Sequence, residues 1–173
     1  MQLVAGILRA FQAMFAAIVL GISVHLARGQ NTRVEAVPTA TGYAAFCGGF
    51  GVLVALIGIT SISVTALERM ITVALDALSA LTMLASGIAY AVLIRNVSCS
   101  DVDDIMRSSL LTSDCGDVGD WRICLTTEDK LKSRCVSSKA DSAFMFISFV
   151  TCLGVVGYSL FMRGRRSGNV SYP

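Results

Sequence analysis

The sequence predicts an all-α fold: a polytopic membrane protein with a bundle of four transmembrane helices and a disulfide-linked loop outside the bilayer. Three observations predict it. Hydrophobic residues make up 54% of the 173 residues, and the mean hydropathy of +0.69 exceeds that of ordinary soluble domains. Charged residues make up only 15% and are clustered, so that four long, nearly uncharged stretches alternate with polar segments. Four of the six cysteines fall in one of those polar segments.

Each of the four stretches has about the 20 residues that an α-helix needs to cross about 30 Å of hydrocarbon. Lipid offers no hydrogen-bond partner to the backbone, so the peptide groups must pair within each segment, which predicts helices. The predicted spans cover residues 10–27, 42–67, 71–94 and 143–162 of a single domain that comprises residues 1–173.

The connections differ in length and chemistry. For residues 10–27 a cleavable signal peptide is the alternative, but the residues before Arg28 make a poor cleavage site. Between the second and third spans only Glu68, Arg69 and Met70 remain, which predicts a tight antiparallel pair of helices. The third connection, residues 95–142, is long and holds most of the charge.

The long loop carries Cys99, Cys115, Cys124 and Cys135. An even number of cysteines in a polar loop predicts two disulfides and therefore an oxidising compartment, with three pairings open. A zinc site is the alternative, but the spacings lack a C-x-x-C pair. We therefore expect the loop to face the cell exterior or an organelle lumen, and both termini to be cytoplasmic.

Basic residues give a mixed signal about orientation. Five lie on the expected cytoplasmic side and nine on the other, but the five sit in very short segments, where the positive-inside rule is most reliable. In the tail, residues 163–173, Arg163, Arg165 and Arg166 form a basic cluster beside the membrane. This cluster should attract anionic lipid headgroups by about 1 kcal/mol per charge, although it is also typical of a plain stop-transfer flank.

Asp76 is the one charge well inside a predicted span, and a carboxylate there costs about 2.5–3.5 kcal/mol on insertion scales. Helical spacing places Thr72 and Ser79 on the same stripe, so we expect this stripe to face other helices. Arg9 and Arg69 are candidate ion-pair partners, since long side chains can reach inward from the membrane surface. Two interpretations stay open: an ion or proton relay, or a paired or protonated structural carboxylate. A relay needs a chain of ionisable groups, and no second acid accompanies Asp76 in the predicted spans.

Sequence motifs for catalysis are missing. There is no glycine-rich phosphate loop, no recognisable pair of catalytic carboxylates and no nucleophile with its base. The lone histidine, His25, cannot build a triad or a metal cage. The net charge of +2 is too small to indicate a nucleic-acid partner. We expect no enzyme activity, no catalytic residue, no cofactor and no metal.

Several short motifs resemble the MARVEL-domain membrane proteins, and more closely the fungal group called non-classical export proteins. They lie within residues 70–100 and 134–162, and comprise Leu75-Asp76-Ala77-Leu78-Ser79, Ala85-Ser86-Gly87, Ser98-Cys99, Arg134-Cys135 and residues 140–144. Two departures stand out: Ser79 replaces a frequent Asn, and Cys115 and Cys124 are additional to the usual cysteine pair.

The resemblance implies a Cys99–Cys135 disulfide that ties the third and fourth spans, with Cys115–Cys124 closing a smaller loop. It also implies a place in plasma-membrane microdomains, a part in eisosome organisation and sphingolipid-linked sensing, without catalysis.

Three functional hypotheses follow. The first is a multi-pass structural protein that organises plasma-membrane domains through anionic lipid, sterol or sphingolipid and through other membrane proteins or copies of itself. The second is an accessory subunit of a larger membrane enzyme or transporter. The third, a small transporter or channel, rests on Asp76 alone.

Overall fold

The computed structural model describes the backbone of residues 2–28, 39–60, 66–108, 110–111, 115–118, 121–124 and 127–167. Side chains are described for residues 3–28, 39–60, 70–108, 110–111 and 127–161. The elements are α1 (Gln2–Arg28), α2 (Thr39–Thr60), α3 (Ala66–Ile94), α4 (Val102–Met106), β1 (Cys115–Val118), β2 (Trp121–Cys124) and α5 (Glu128–Ser167).

Four of these helices, α1, α2, α3 and α5, are long and apolar enough to cross a membrane. The predicted fold class, a four-helix membrane bundle, is therefore confirmed. The described part of the long loop contains α4, a helix of about one and a half turns, and a small antiparallel hairpin, β1–β2.

The helices form a four-membered ring in which α1 contacts α2 and α5, and α3 contacts the same two. Neighbours run antiparallel, as the contacts between α1 and α2 show. A Cβ added to Gly58 would meet Arg9, one added to Gly51 would meet Ala16, and one added to Gly48 would meet Leu20. Residue numbers thus fall along α2 as they rise along α1.

Each long helix buries one stripe with alternating three- and four-residue spacing. On α1 the stripe comprises Arg9, Gln12, Ala16, Val19, Ser23 and Leu26. This spacing is the left-handed bundle pattern, in which a 3.5-residue repeat keeps one seam facing its neighbours. The stripe is partly polar while the opposite faces expose large apolar side chains such as Leu53 and Leu81. That distribution fits a protein whose outer surface meets lipid.

Glycine permits a close contact between α1 and α2. A Cβ on Gly48 would lie 2.7 Å from the backbone nitrogen of Leu20, a distance that real Cβ atoms essentially never show. The backbones of α1 and α2 therefore touch at this level, as small residues allow in membrane helices.

Two helix boundaries differ from the sequence-based expectation. The turn expected at Glu68–Met70 is wrong, because these residues belong to α3 and α2 already ends at Thr60. The Thr60 hydroxyl donates to the carbonyl oxygens of Leu56 and Ile57 at 3.3 and 2.9 Å, and such side-chain bonding competes with helix continuation. Residues 61–65, between α2 and α3 in the sequence, lie outside the described residues.

At the other boundary, α1 begins at Gln2, about two turns before the expected residue 10. Arg9 therefore lies within the helix and is 7% exposed, whereas the sequence had placed it at the edge of the span.

Helix α5 has 40 residues and is about 60 Å long, twice the thickness of the hydrocarbon core. Its first three turns, assigned from the sequence to the connection of residues 95–142, pack Leu131 and Cys135 against Ile105 and Leu111 of the α4 region. We call the end of the bundle that carries α4 the loop end. Asp101 caps α4 by accepting a hydrogen bond from the Asp103 amide at 3.1 Å.

Candidate functional site

The intramembrane carboxylate Asp76 forms a two-pronged ion pair with Arg9. Arginine Nη1 lies 2.5 Å from Asp76 Oδ1, and Nη2 lies 2.6 Å from Oδ2. Asp76 is completely buried, so the pair lies inside the bundle, between α1 and α3. The parallel N–H groups of a guanidinium match both oxygens of a carboxylate, which makes this the strongest form of charged hydrogen bond.

Gln12 extends the pair to a third helix. It lies one turn after Arg9 on the buried stripe of α1, and its Oε1 accepts from Arg9 Nη1 at 3.1 Å. Its Nε2 donates to Asp76 Oδ1 at 3.1 Å and to Cys152 Sγ of α5 at 3.4 Å. We call Arg9, Gln12, Asp76 and Cys152 the Arg9 cluster.

The remaining membrane helix, α2, contributes through the absence of a side chain at Gly58. A Cβ on Gly58 of α2 would collide with the Arg9 guanidinium, so only glycine leaves the guanidinium its place. The Arg9 cluster therefore depends on all four membrane helices, and both Asp76 oxygens have partners. Its two charges cancel within hydrogen-bonding distance, which suits a structural lock better than a site that must bind and release an ion.

The structure describes the side chains of some of the other residues singled out in the sequence, but not of all of them. Thr72 and Ser79 lie on the same buried stripe of α3, one turn before and one turn after Asp76. The side chain of Arg69, the second candidate partner, lies outside the described residues, as do those of Arg163, Arg165 and Arg166. His25 is exposed near the end of α1.

The loop cysteines are arranged in two places. Cys99 and Cys135 form a disulfide that joins the segment after α3 to α5, with their Cα atoms 5.6 Å apart. The hairpin register places Cys115 directly opposite Cys124, but their side chains lie outside the described residues. Among the described cysteines, Cys47 and Cys152 are free and buried within the bundle.

A second buried carboxylate, Asp141 of α5, was not predicted. Its Oδ2 accepts a hydrogen bond of 2.7 Å from the Ser23 hydroxyl of α1. Sequence reasoning had assigned Asp141 to the loop, because the apolar stretch begins only at residue 143. The signal that could have found it is the spacing of Cys135, Ser138 and Ser142, which carries the buried stripe of α5 beyond the apolar stretch.

A concavity lies on the outer surface of the bundle, between described residues of α1 and α5. It is a groove of about 490 Å³ between α1 and α5, and its lining is almost entirely apolar. The lining residues are Leu8, Phe146, Ile147, Val150, Thr151 and Gly154.

Among the described residues, no three His, Cys, Asp or Glu side chains are grouped so that they could hold a metal ion.

Comparison with known proteins gives one match. The family model for MARVEL, the membrane-associating domain, covers residues 2–158, from the start of α1 through most of α5. No curated protein and no solved structure matches the chain.

Proposed function

Because the chain belongs to the MARVEL family of membrane-associating domains, we propose that it is a structural protein that organises lipids and proteins in the plane of the membrane. The observation that carries this proposal is the Arg9 cluster. Its two buried charges are paired with each other, and the cluster is in contact with all four membrane helices. This arrangement favours a structural protein over a transporter or channel.

We propose more specifically that the protein acts in plasma-membrane microdomains of the eisosome type, as its resemblance to the fungal non-classical export proteins implies. The apolar groove between α1 and α5 supports a direct role for lipid, because its lining offers almost no polar group to a protein ligand. A sterol or a saturated acyl chain is the occupant we propose. The basic residues after Met162 would add attraction to anionic headgroups.

The same proposal assigns both termini to the cytoplasm and the loop end to the exterior. It is supported by the Cys99–Cys135 disulfide, since such bonds persist in oxidising compartments.

Giant vesicles with coexisting ordered and disordered lipid phases test the proposal. The purified full chain, labelled at the N-terminus, is reconstituted with and without sterol, and its partition between the phases is measured. Gly154→Leu fills the groove from an open position, since nothing lies within 4 Å of a Cβ there. We expect this substitution to reduce sterol-dependent partition several-fold.

Gly21→Leu is the matched control, because Gly21 is equally open but lies on α1 away from the groove lining. Partition that ignores sterol, or that changes equally in both variants, contradicts a lipid-organising groove. A large partner that co-purifies in stoichiometric amounts from native membranes would instead favour an accessory subunit.

A further inference from the structure

Asp141 lies near the loop end of the bundle and is completely buried. Its Oδ2 accepts from Ser23, but its Oδ1 has no hydrogen-bond partner among the described residues. An ionised carboxylate in such surroundings normally needs two or three donors or a counter-charge. We propose that Asp141 is a proton-binding site: a carboxylic acid that is neutral in the closed bundle, with its proton on Oδ1.

The groups that face Asp141 from the packed helices are neutral. They are Ser23 from α1 and, from α3, Tyr90, whose hydroxyl lies close to Thr41 of α2. The described hydrogen-bond donor to Asp141 is the Ser23 hydroxyl, whereas Asp76 is paired with the Arg9 guanidinium.

Charged groups do occur nearby, but they point elsewhere or lie farther along the helices. His25, Arg28 and Arg95 are exposed, as is Lys139 on α5 itself. Arg134 lies seven residues before Asp141 on the same helix, about 10 Å along the axis. Arg134 has an interaction of its own, and Asp141 Oδ1 accepts no hydrogen bond from it.

The two buried aspartates make an internal comparison. Asp76 has a guanidinium on both oxygens and an amide on one, so its negative charge is matched. Asp141 has one hydroxyl on one oxygen. The same bundle thus compensates one carboxylate with a cation and leaves the other to be neutralised by a proton.

A metal ion fits the site less well than a proton does. Calcium takes six to eight oxygen ligands and magnesium about six, at fixed distances. Around Asp141 the described oxygen donors are a few hydroxyls, and no other acid, cysteine or histidine completes a metal-binding group among the described residues. A proton requires only the unpartnered Oδ1.

The proton balance sets the sign of the pH dependence. An unfolded aspartate has a pKa of about 3.9 and is ionised at neutral pH. If Asp141 is neutral in the folded bundle, which is the closed state, folding takes up one proton from water. Unfolding, which opens the bundle, releases that proton. The closed state then binds more protons than the open one, so its stability falls as the pH rises through neutrality.

Infrared spectroscopy of the full chain in lipid nanodiscs, with isotope-labelled aspartate carboxyl groups, tests this directly. A neutral carboxylic acid has a C=O band separate from that of carboxylates. We expect the wild type to show this band at pH 7 and Asp141→Asn to lose all of it. Ser23→Ala should shift the band without removing it, because it removes the one hydrogen bond to Oδ2.

Asp129→Asn is the matched control, since Asp129 is an exposed aspartate on the same helix. It should leave the band unchanged. Absence of the band from labelled wild type overturns the proposal without reference to any variant, which covers the case in which Asp141→Asn fails to fold.

A second measurement separates a proton from a cation. The unfolding temperature of wild type should fall as the pH rises from 6 to 8, more steeply than that of Asp141→Asn, and should be the same in sodium and choline chloride. Stabilisation of wild type by sodium, lost in Asp141→Asn, would identify a metal cation as the occupant and overturn the assignment of a proton.

Discussion

At the scale of single residues, burial decides what each charge can do. Arg9 and Asp76 were recognisable in the sequence as a charge on each of two apolar stretches, and the structure brings them into one ion pair. Gln12 and Cys152, which join the pair to α5, could not be predicted, because an amide or a thiol in an apolar helix has no distinctive pattern. Asp141 was not predicted to be buried, because hydropathy marks where the apolar, lipid-facing stretch of a helix begins and not where its packing against other helices begins.

Removing one member of the Arg9–Asp76 pair should be far more costly than removing both. Arg9→Met leaves a buried carboxylate without its cation, and we expect a loss of about 3–5 kcal/mol in the free energy of unfolding. The double variant Arg9→Met with Asp76→Leu removes both charges and should recover most of that loss. Denaturant titration in mixed micelles measures all three.

Arg28→Met is the matched control, because Arg28 is an exposed arginine on the same helix. Equal losses in Arg9→Met and Arg28→Met contradict the importance of the pair. A different result would overturn the structural role itself: ion flux into liposomes that contain the wild type, abolished in a stably folded Asp76→Asn, would make Asp76 part of a transport path.

At the scale of helices, the number of spans was predictable and their ends were not. In lipid, a stretch of about twenty apolar residues pairs its backbone N–H and C=O groups by forming a helix. Hydropathy therefore located all four membrane helices. The apolar run at the end of α2 continues in the sequence through serine and threonine towards α3, so hydropathy does not mark the bounds of these two helices. The first turns of α5 precede the apolar stretch that begins at residue 143, so they were assigned to the connection of residues 95–142 and not to the fourth membrane helix.

The contact between α1 and α2 should fail at a single glycine. Gly48→Ala places a methyl group against the Leu20 backbone, which cannot move without separating the helices. We expect a loss of about 1–3 kcal/mol in the free energy of unfolding, typical of overpacking.

The adjacent Gly49→Ala is its control. A Cβ there would lie 3.9 Å from the flexible end of Leu20. Since alanine is about 1 kcal/mol more favourable than glycine within a helix, this variant should be neutral or slightly more stable. Equal effects of the two substitutions would contradict the close approach at Gly48.

The Cys99–Cys135 disulfide should stabilise the outer part of α5. It closes a loop with a sequence separation of 36 residues, and a native disulfide of this kind typically contributes about 2–4 kcal/mol. We expect Cys99→Ser and Cys135→Ser to lose the same amount, and the double variant to lose no more. Hydrogen exchange of residues 128–140 measures the effect.

Peptide mapping without reduction checks the connectivity. Residues directly opposite in an antiparallel pair have Cα atoms about 4.5–5.5 Å apart, which a disulfide can bridge. Cys115 and Cys124 have this register, so the second bond should join them. A crosslink from Cys99 to Cys124 would contradict both pairings.

At the scale of the whole molecule, the described bundle has an interior that mixes apolar and polar side chains, and an exterior that exposes many large apolar side chains. Polar residues on the buried stripes of all four helices made an inward-facing polar seam predictable in part, through the stripe of Thr72, Asp76 and Ser79. The order of helices around the ring could not be read from the sequence, because each pair of faces has similar small and apolar residues.

Membrane orientation is the prediction at this scale. In intact cells, an impermeant maleimide added after mild reduction should label the loop cysteines. A C-terminal epitope tag should be reached by antibody only after permeabilisation. The reverse pattern, with loop thiols already reduced and accessible only from the cytosol, contradicts the orientation.

The partners in the Arg9 cluster are far apart in the sequence, so they are synthesised at different times. Arg9 leaves the ribosome 67 residues before Asp76, so the first helix is made when its counter-ion does not yet exist. Until then, the Arg9 side chain can keep its charge near the membrane surface, because long basic side chains near a helix end reach toward the interface. The buried ion pair can therefore form only after the third membrane helix has been made.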